Sequence, residues 1–526
     1  MSDGLFMALV PEVFTPPTPA PPIVLQQTAS RPAATLRLTT AAGLHLTVLG
    51  NTLLSPQALR AALEPAESAE RAVTLLEAAY RRAGYLLVGL RATPEPATRS
   101  VEIQVIEGRL TQVRAQPGVA AFYRGTTFDP ALTENALIRR NILAEMYASR
   151  SGLGFRPSLA PAPQPGGSLL TVETPPEPQF KPVSGSVVFG NYGSRYVGGD
   201  VLGENLTLRP GKGWLLGANY SHGLPNLTRA SAGSRSDAGG LMASLVTPWG
   251  IYGLSLQRSS YRLGVAGAPY YPQGTTETSA LTGSQLVWAS PTARFSLNQA
   301  LTHVAYKSEV LDGAYTLADQ NYNYLTLGAQ GSRNVQIGTL PGAVNLAVGY
   351  NLGLSGKRGT LVYDVPSAPQ SRFRNWTLSA SWQQNLPKGW SLNAAASGQW
   401  GINTQPANQQ WVLGGYGSLA AWTSGILSGD GGYLLRTVAQ TPNWNWQGWQ
   451  VNAQAFAEQG AVATHYRAPG VPGWRMLADV GVGLTFTAPW KTSLSVQAAR
   501  PVANKNVTAA TLASQRAVYF VLQQPF

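Results

Sequence analysis

The segment WSLNAAASGQW, residues 390–400, decides the fold because its side chains alternate between two chemically different faces. One face is apolar or small throughout and carries, in order, Trp390, Leu392, Ala394, Ala396, Gly398 and Trp400. Ten residues separate the two tryptophans, which is roughly 33 Å along a strand and roughly 24 Å along the membrane normal at a tilt of ~45°. That height matches the apolar band of about 25 Å in a transmembrane β-barrel, with an aromatic residue at each interface.

The same alternation continues through the last two thirds of the chain, for example in residues 376–382, 480–487 and 493–498. Short connections with turn residues separate these segments at 210–213, 247–250, 290–292, 386–389 and 488–490. Longer polar or glycine-rich connections alternate with them near 225–237, 265–278, 310–320, 358–369, 403–430, 465–474 and 504–515. This rhythm of tight periplasmic turns and long outer loops predicts an all-β transmembrane barrel of about sixteen antiparallel strands over residues 179–526.

The composition agrees with a barrel and excludes several functions. Only 12% of the 526 residues are charged, against roughly a quarter in soluble domains, and no apolar run approaches the ~20 residues of a spanning helix. Cysteine is absent, which removes thiol catalysis and zinc–thiolate sites. We find no Walker loop, no nucleophile elbow and no histidine cluster at ligand spacing. We therefore expect no enzyme activity, no metal and no cofactor.

The net charge of +13 raises the possibility of a nucleic-acid surface. The lysines and arginines are spread thinly, however, with no basic helix or basic run. A generally basic lumen and rim is the better interpretation, and we expect no nucleic-acid partner.

Residues 1–36 are predicted to form a proline-rich, semi-rigid spacer. They show neither the basic and apolar pattern of a secretory signal nor the periodicity of a plug helix. A barrel requires export, so we expect the export signal to lie outside the given sequence.

Two small α/β modules are predicted between this spacer and the barrel. In residues 37–108 a strand at 44–49 precedes helices that open at Ser55-Pro56 and Ser68, and strands at 86–91 and 100–106 follow. This order predicts a three-stranded sheet with two helices on one face. Residues 109–178 contain a strand at 110–115, a helix at 136–147 opened by Asp129-Pro130, and closing strands at 155–159 and 169–173.

Two segments of the first module resemble a known family. AAYRRAGY (residues 78–85) and VEIQVIEGRL (residues 101–110) are similar to the POTRA domain of two-partner secretion outer-membrane transporters (TpsB), the haemolysin-activator and filamentous-haemagglutinin-exporter family. In the second module, QPGGSLLTV (residues 164–172) is similar as well, and NYGSR (residues 191–195) resembles the family's first barrel strand and loop. The C-terminal strand, which ends in Phe526, resembles the sorting signal of assembled barrels. The resemblance covers about residues 40–526.

The family's longest outer loop folds into the lumen, and the resemblance implies that residues 402–430 do so here, between the eleventh and twelfth strands. The expected loop residues are Gly414, Gly415, Tyr416, Leu419, Ala420, Ala421, Trp422, Gly429, Asp430 and Gly432. The flanks match the family, but Ala420 stands where the resemblance expects an arginine. We expect the loop to enter the lumen and to be locked there less tightly.

The partner motif of that loop is expected on the thirteenth strand, where this chain has Phe456, Glu458 and Gly460 with glutamate in place of the family's aspartate. A buried carboxylate without a cation is costly. With the tip arginine missing, Arg436 on the twelfth strand is the candidate cation for Glu458. The alternative is that Glu458 only lines a hydrated lumen.

The resemblance implies export of a large partner exoprotein from the periplasm across the outer membrane of a diderm bacterium, without nucleotide hydrolysis. The periplasmic modules would bind the partner's N-terminal secretion domain by sheet-edge augmentation. We expect the binding edge and groove in residues 101–108 and in the helix at 136–147. The candidate partner-binding residues are Tyr85, Val101, Ile103, Val105, Glu107, Gly108 and Arg109.

Three other functions remain open on the sequence. An outer-membrane protein insertion factor of the same superfamily usually has more periplasmic modules than two. A diffusion porin needs no modules ahead of its barrel. A soluble β-rich binding protein has no use for the aromatic residues at the strand ends.

Overall fold

The computed structural model describes residues 34–129, 132–164, 166–194, 197–224, 227, 234–264, 271–357, 369–465 and 472–526. Most of the predicted spacer, and with it any plug helix, lies outside these residues, as do Pro130 and Arg195. No helix in the described ranges is long and apolar enough to span a membrane.

The first module is a four-stranded sheet in the order β1-β2-β4-β3 with two helices on one face. Its elements are β1 (Ala34–Thr39), β2 (His45–Leu49), α1 (Pro56–Leu63), α2 (Ala69–Arg82), β3 (Val88–Glu95) and β4 (Ser100–Glu107). Ser55 and Ser68 cap the two helices through their hydroxyls, as predicted. The prediction of three strands is wrong, because β1 begins inside the predicted spacer and pairs with β2.

The second module is a three-stranded sheet in the order β5-β7-β6. Its elements are β5 (Arg109–Arg114), α3 (Pro117–Ala120), α4 (Glu134–Arg150), β6 (Arg156–Pro161) and β7 (Gly167–Glu173). Thr133, rather than Asp129, is the residue that caps α4, because its hydroxyl accepts a hydrogen bond from Ala136 N.

The second module is docked on the barrel through α4. Ile138 and Ile142 are buried against Ala289 and Leu286 at a periplasmic end of the barrel wall. Arg150 Nη1 donates to Ser244 Oγ at 3.1 Å, and the Ser151 hydroxyl accepts from Gly213 N, also at 3.1 Å. The barrel and this helix therefore share a packed core.

The barrel is closed and antiparallel. Its wall consists of β8 (Val183–Gly190), β9 (Asp200–Gly211), β10 (Trp214–Leu224), β11 (Arg235–Thr247), β12 (Gly250–Arg262), β13 (Gln273–Ala289), β14 (Ala293–Val310), β15 (Tyr315–Ile337), β16 (Leu340–Lys357), β17 (Arg374–Asn385), β18 (Ser391–Gly401), β21 (Gly431–Gln440), β22 (Trp444–Trp446), β23 (Trp449–Ala463), β24 (Trp474–Thr487), β25 (Ser493–Lys505) and β26 (Val518–Pro525). A hairpin of β19 (Trp411–Leu413) and β20 (Leu427–Gly429) lies between β18 and β21, and the short helix α5 (Ala509–Ala513) precedes β26.

β21 and β22 both pair with β23 and count as one wall strand, so the wall segments described make sixteen strands. The last strand closes on the first, β26 against β8. The prediction of a barrel of about sixteen strands is confirmed. The long loop also falls between the eleventh and twelfth strands, β18 and β21, and the segment with Glu458 lies on the thirteenth, β23.

Outward-facing tryptophans mark the two rims of the barrel. Trp249, Trp390 and Trp490 are exposed at or beside periplasmic turns, and Trp376 and Trp400 are exposed at the opposite ends of β17 and β18. This placement of aromatic side chains at both interfaces is typical of a membrane-spanning barrel.

Candidate functional site

The loop between β18 and β21 lies inside the barrel. Its hairpin, β19 and β20, carries the segment 414–422 to the inner wall, where Leu419, Ala420, Ala421 and Trp422 are at most 1% exposed. A position outside the barrel would have contradicted the loop prediction, and the structure places the segment in the lumen.

The tip of the loop has an unusual backbone. Gly414 and Gly415 have φ angles of +107° and +103°, which suit glycine. Leu419 also has a positive φ, +61°, although it is a bulky residue and is fully buried. Such a conformation persists only where the surrounding structure holds it, and it is concentrated at functional sites.

Three ionisable side chains form one row on the inner wall beneath the tip. In the strand register Arg436 of β21 pairs with Glu458 of β23, and Glu458 pairs with Asp479 of β24. Because directly paired residues point to the same side of a sheet, all three side chains face the lumen. Glu458 is 3% exposed and Asp479 is 1% exposed.

The two carboxylates hold the tip through its backbone. Glu458 Oε2 accepts from Ala420 N at 2.8 Å, and Asp479 Oδ2 accepts from Ala421 N, also at 2.8 Å. The tip is therefore bound through main-chain N–H groups, which are present whatever side chain occupies position 420.

Arg436 supplies the cation of the row. Its Nε lies 3.3 Å from Glu458 Oε1, and its guanidinium carbon lies 5.5 Å from the centre of the Phe456 ring. Arg436 thus lies on the barrel wall, on the strand next to the one that carries its partner Glu458.

A second group of contacts joins the tip to the end of the chain. Tyr519 Oη donates to Trp422 O at 2.6 Å, Arg516 N donates to Ala421 O at 2.9 Å, and Thr423 N donates to Ser514 O at 3.2 Å. Trp422 and Gln515 form an antiparallel bridge, and Leu512 of α5 packs on the Trp422 cluster. The last outer loop therefore folds over the tip. We call Ala420, Ala421 and Trp422, with Arg436, Glu458, Asp479 and Tyr519, the tip lock.

The base of the loop is held by polar groups. Asp430 is 3% exposed, and its two oxygens accept from Gln405 N and His465 N, each at 2.7 Å. Gln405 Oε1 accepts from Asn375 Nδ2 at 2.8 Å, and Asn375 Oδ1 accepts from Asn351 Nδ2 at 2.7 Å. Asp430 therefore anchors the loop to the walls β16 and β17 rather than facing a passing chain.

Two glycines make room for the hairpin. A Cβ at Gly432 would lie 2.3 Å from Trp411 Cδ1, and a Cβ at Gly460 would lie 2.8 Å from Leu413 Cδ1. Gly432 and Gly460, both predicted site residues, thus leave the space that the hairpin side chains occupy. Gly429 has a similar role beside Ala463 O, 2.5 Å from the position of its missing Cβ.

Substitution of Gly460 with valine is expected to lift the hairpin from the wall, because even its Cβ would lie 2.8 Å from Leu413 Cδ1 and 3.3 Å from Leu419 Cδ1. We expect a clear rise in the resting conductance of the pore in planar bilayers. Ala457→Val, on the outward side of the same strand, is the control and should leave conductance unchanged. An unchanged Gly460→Val pore would mean that the hairpin does not depend on this contact.

The candidate partner-binding residues of the first module have structural contacts. Val101, Ile103 and Val105 are buried in its core, and Tyr85 packs edge-on against Tyr80 at 6.4 Å. Glu107 accepts from Thr52 N at 2.7 Å, from Leu53 N at 2.9 Å and from Tyr80 Oη at 3.0 Å. Gly108 N and Arg109 N donate to Leu87 O and Gly166 O. These residues thus hold the module and its junction together.

One expected binding surface is wrong, and the other is partly covered. β4, which contains residues 101–107, pairs with β2 on one side and β3 on the other, so it is a central strand and offers no free edge. The helix expected at 136–147 is also covered on two sides, by its own sheet and by the barrel. The sheet edges are instead β1 and β3 in the first module and β5 and β6 in the second.

Glu107→Ala is expected to destabilise the first module by about 1–3 kcal/mol, because the backbone N–H groups of Thr52 and Leu53 lose their acceptor. Trypsin cleavage of the periplasmic modules at increasing urea concentration measures this. The exposed Glu67→Ala is the matched control. Equal urea midpoints for the two variants would contradict the role of Glu107.

The first module is also expected to lose stability at high pH. Burial, and then the charge of Glu107, raise the pKa of Tyr80. A raised folded-state pKa stabilises the module below the unfolded pKa of about 10, and that contribution is lost as the pH rises above it. Tyr80→Phe should flatten the fall in urea midpoint between pH 9 and pH 11, and a fall as steep as that of the wild type would contradict this assignment.

The family is shown by comparison with known proteins. The model of the family described as haemolysin secretion/activation protein ShlB/FhaC/HecB matches residues 166–486, more than half of the 526 residues. The chain belongs to this family.

Among the similar proteins, the outer membrane transporter CdiB of Dickeya dadantii (strain 3937) is 24% identical over 411 residues, which cover 74% of this chain and 69% of that protein. The heme/hemopexin transporter protein HuxB of Haemophilus influenzae (strain ATCC 51907 / DSM 11121 / KW20 / Rd) is 23% identical over 442 residues, which cover 81% and 76%. The solved structure of CdiB from Escherichia coli has a TM-score of 0.74 at 18% identity, over 97% of this chain and 94% of that one. The solved structure of CdiB from Acinetobacter baumannii has a TM-score of 0.68 at 16% identity, over 94% of this chain and 91% of that one. The structural similarity shows the fold.

Sequence reasoning missed Asp479, Tyr519 and the loop 506–517. Asp479 could have been predicted to face the lumen, because it alternates with the apolar outward residues Val480, Val482 and Leu484 of the same strand. No sequence pattern predicts the roles of Tyr519 and the last loop, because their contacts join residues about a hundred positions apart in sequence.

Proposed function

We propose that this protein is an outer-membrane pore that exports a large partner exoprotein from the periplasm to the cell surface. The observation that carries the proposal is a closed sixteen-stranded barrel whose lumen holds a locked loop, in a chain of the haemolysin secretion/activation family. Relatives whose names describe outer-membrane and heme/hemopexin transporters support the same conclusion.

The tip lock is the gate of this pore in our proposal. The loop occupies the space that an exported chain must cross, and the tip is held mainly by hydrogen bonds to the wall and to the last outer loop. Passage of the partner then requires the tip to leave Glu458, Asp479 and Tyr519. No step of this mechanism uses a nucleotide, a metal or a cofactor.

Residues 37–108 and 109–178 are proposed as the periplasmic modules, with the first extended to Ala34, and residues 179–526 as the barrel. The modules bind the partner's N-terminal secretion domain. An extended chain needs a sheet edge with free N–H groups. Pro157 and Pro161 remove two donors from β6, and Pro94 removes one from β3. The edges β1 and β5 contain no proline and are therefore the better ones for a partner strand.

Culture supernatants of cells with and without this protein test the proposal. We expect one large protein to leave the medium and accumulate in the periplasm when the gene is deleted, and to return on complementation. A decline of other outer-membrane barrels with an unchanged medium would instead favour an insertion factor. The outer membrane is the expected location in either case.

A further inference from the structure

The outward face of the barrel can be read from the strand register. Phe456 and Glu458 touch the loop inside the barrel, so alternate residues of β23 face lipid, and cross-strand partners carry this assignment around the wall. The exposed Leu241 (61%), Leu254 (50%) and Leu346 (49%) lie on the outward side by this rule.

The apolar run on this outward face is short on one side of the barrel. On β12 the outward residues that follow the periplasmic turn are Tyr252, Leu254 and Leu256, and the next is Arg258. On β16 the outward residues Val344, Leu346, Val348, Tyr350, Leu352 and Leu354 continue without a charge. The apolar band is therefore about half as long on β12 as on β16.

A charged residue also ends the uncharged outward run on three other strands of this wall. On β9, Leu208 and Leu206 are followed by Glu204. On β11 the run from Leu245 to Gly239 is followed by Asp237, and on β13 the run from Gln285 to Ser279 is followed by Glu277. Arg258 Nε lies 3.5 Å from Glu277 Oε1, and the two side chains are 73% and 56% exposed. Glu204 has no ion-pair partner among the described residues. Charged residues thus form a rim on β9 and on β11 to β13, and Tyr220 of β10 lies between them.

A groove follows the same part of the wall. It has a volume of about 790 Å³, and its outward lining combines small residues, Ala218, Gly239 and Ser279, with Glu204, Arg258 and Glu277. Charged side chains in hydrocarbon are expensive. Thinning of the bilayer beside a short apolar surface has a modest cost in comparison.

We propose that the bilayer is thinned along β9–β13, so that lipid head groups and water come down to the level of Glu204 and Arg258. The rim presents both signs of charge, which suits head groups that carry phosphate and ammonium. The groove below it is filled by acyl chains. The same wall carries α4 at its periplasmic turns, so the thin bilayer lies on the side where the second module is docked.

Single cysteines test this proposal, since the chain contains none. Gly239→Cys lies eight residues from the periplasmic end of β11 at Thr247, and Ala478→Cys lies nine residues from the periplasmic end of β24 at Thr487. A Cβ at Gly239 has room, with its nearest neighbours at 3.5 Å. In proteoliposomes of natural outer-membrane lipid, we expect a membrane-impermeant maleimide to label Gly239→Cys at least tenfold faster than Ala478→Cys. Equal rates would overturn the proposal.

A second comparison tests whether the charged rim causes the thinning of the bilayer. In the Gly239→Cys background, replacing Glu204, Arg258 and Glu277 together with leucine should slow labelling at least tenfold, because the wall would then match a full-thickness bilayer. Labelling is scored only in the folded band, identified by heat-modifiable migration on a gel. Fast labelling that persists in the leucine variant would show that the charged rim does not thin the bilayer, and would refute the proposal.

Discussion

Trp422→Ala is expected to open the resting pore. Trp422 is fully buried, and truncating a buried tryptophan costs about 3–5 kcal/mol. That loss falls on the contacts of the tip with the wall and with the last outer loop, since Trp422 packs with Leu477 of β24 and Leu512 of α5. We expect long-lived open states in planar bilayers and sensitivity of cells to antibiotics that are too large for ordinary porins.

Trp400→Ala is the matched control, because Trp400 is 72% exposed on the outward face of β18. It removes the same atoms without touching the tip and should leave conductance near that of the wild type. Tyr519→Phe removes only the hydrogen bond to Trp422 O and should give an intermediate effect. A closed Trp422→Ala pore would show that the tip does not hold the gate shut.

Arg436→Met is expected to be the most disruptive single change on the inner wall. It leaves the buried Glu458 without its cation, and breaking a buried ion pair from one side costs about 3–5 kcal/mol. Glu458 is then expected to draw in water or turn away from Ala420 N, and the tip loses one of its two carboxylate contacts. The measurable results are higher resting conductance and a lower temperature at which the gel band shifts to the unfolded position.

The double variant Arg436→Met with Glu458→Gln separates the charge from the packing. Removing both charges leaves no uncompensated ion, so much of the lost stability should return. Arg333→Met, at an exposed position of β15, is the control for losing an arginine from the described wall. If the double variant is no more stable than Arg436→Met alone, the unpaired charge of Glu458 is not what destabilises the single variant.

The barrel could be predicted from the sequence because its rules are local. Alternation fixes which side chains face lipid, and turn residues mark the periplasmic ends, so the strand number and the place of the long loop followed from counting. The position of Glu458 on the thirteenth strand came from the same count. Arg436 as its partner also followed, because neighbouring strands bring directly paired residues together.

The strand β1, the central position of β4 and the docking of α4 depend on contacts between distant segments, which no local sequence pattern indicates. The proline-rich composition before residue 37 concealed β1, which forms only because β2 offers it an edge. The alternation of Val101, Ile103 and Val105 identified a strand but not its place in the sheet, and β4 lies in the centre. The buried face of α4 is covered by the barrel, which no pattern within the helix reveals.

The tip is held although Ala420 stands where the resemblance expects an arginine. Main-chain N–H groups of Ala420 and Ala421 occupy the two carboxylates, and Arg436 balances one of them from the wall. The last outer loop adds contacts on the other side of the tip. Whether the loop is locked less tightly than in its relatives stays a prediction, which the conductance of the variants above will measure.

The most direct test of the account is export by a pore whose tip is tied to the last outer loop. Thr423 and Ser514 lie next to the bridge between Trp422 and Gln515, a spacing suited to a disulfide. In cells with Thr423→Cys and Ser514→Cys, we predict that the partner protein stays in the periplasm under oxidising conditions and reaches the medium after mild reduction, while each single cysteine exports normally. Full export through the oxidised double variant would contradict the claim that the partner passes through the lumen past a tip that must move.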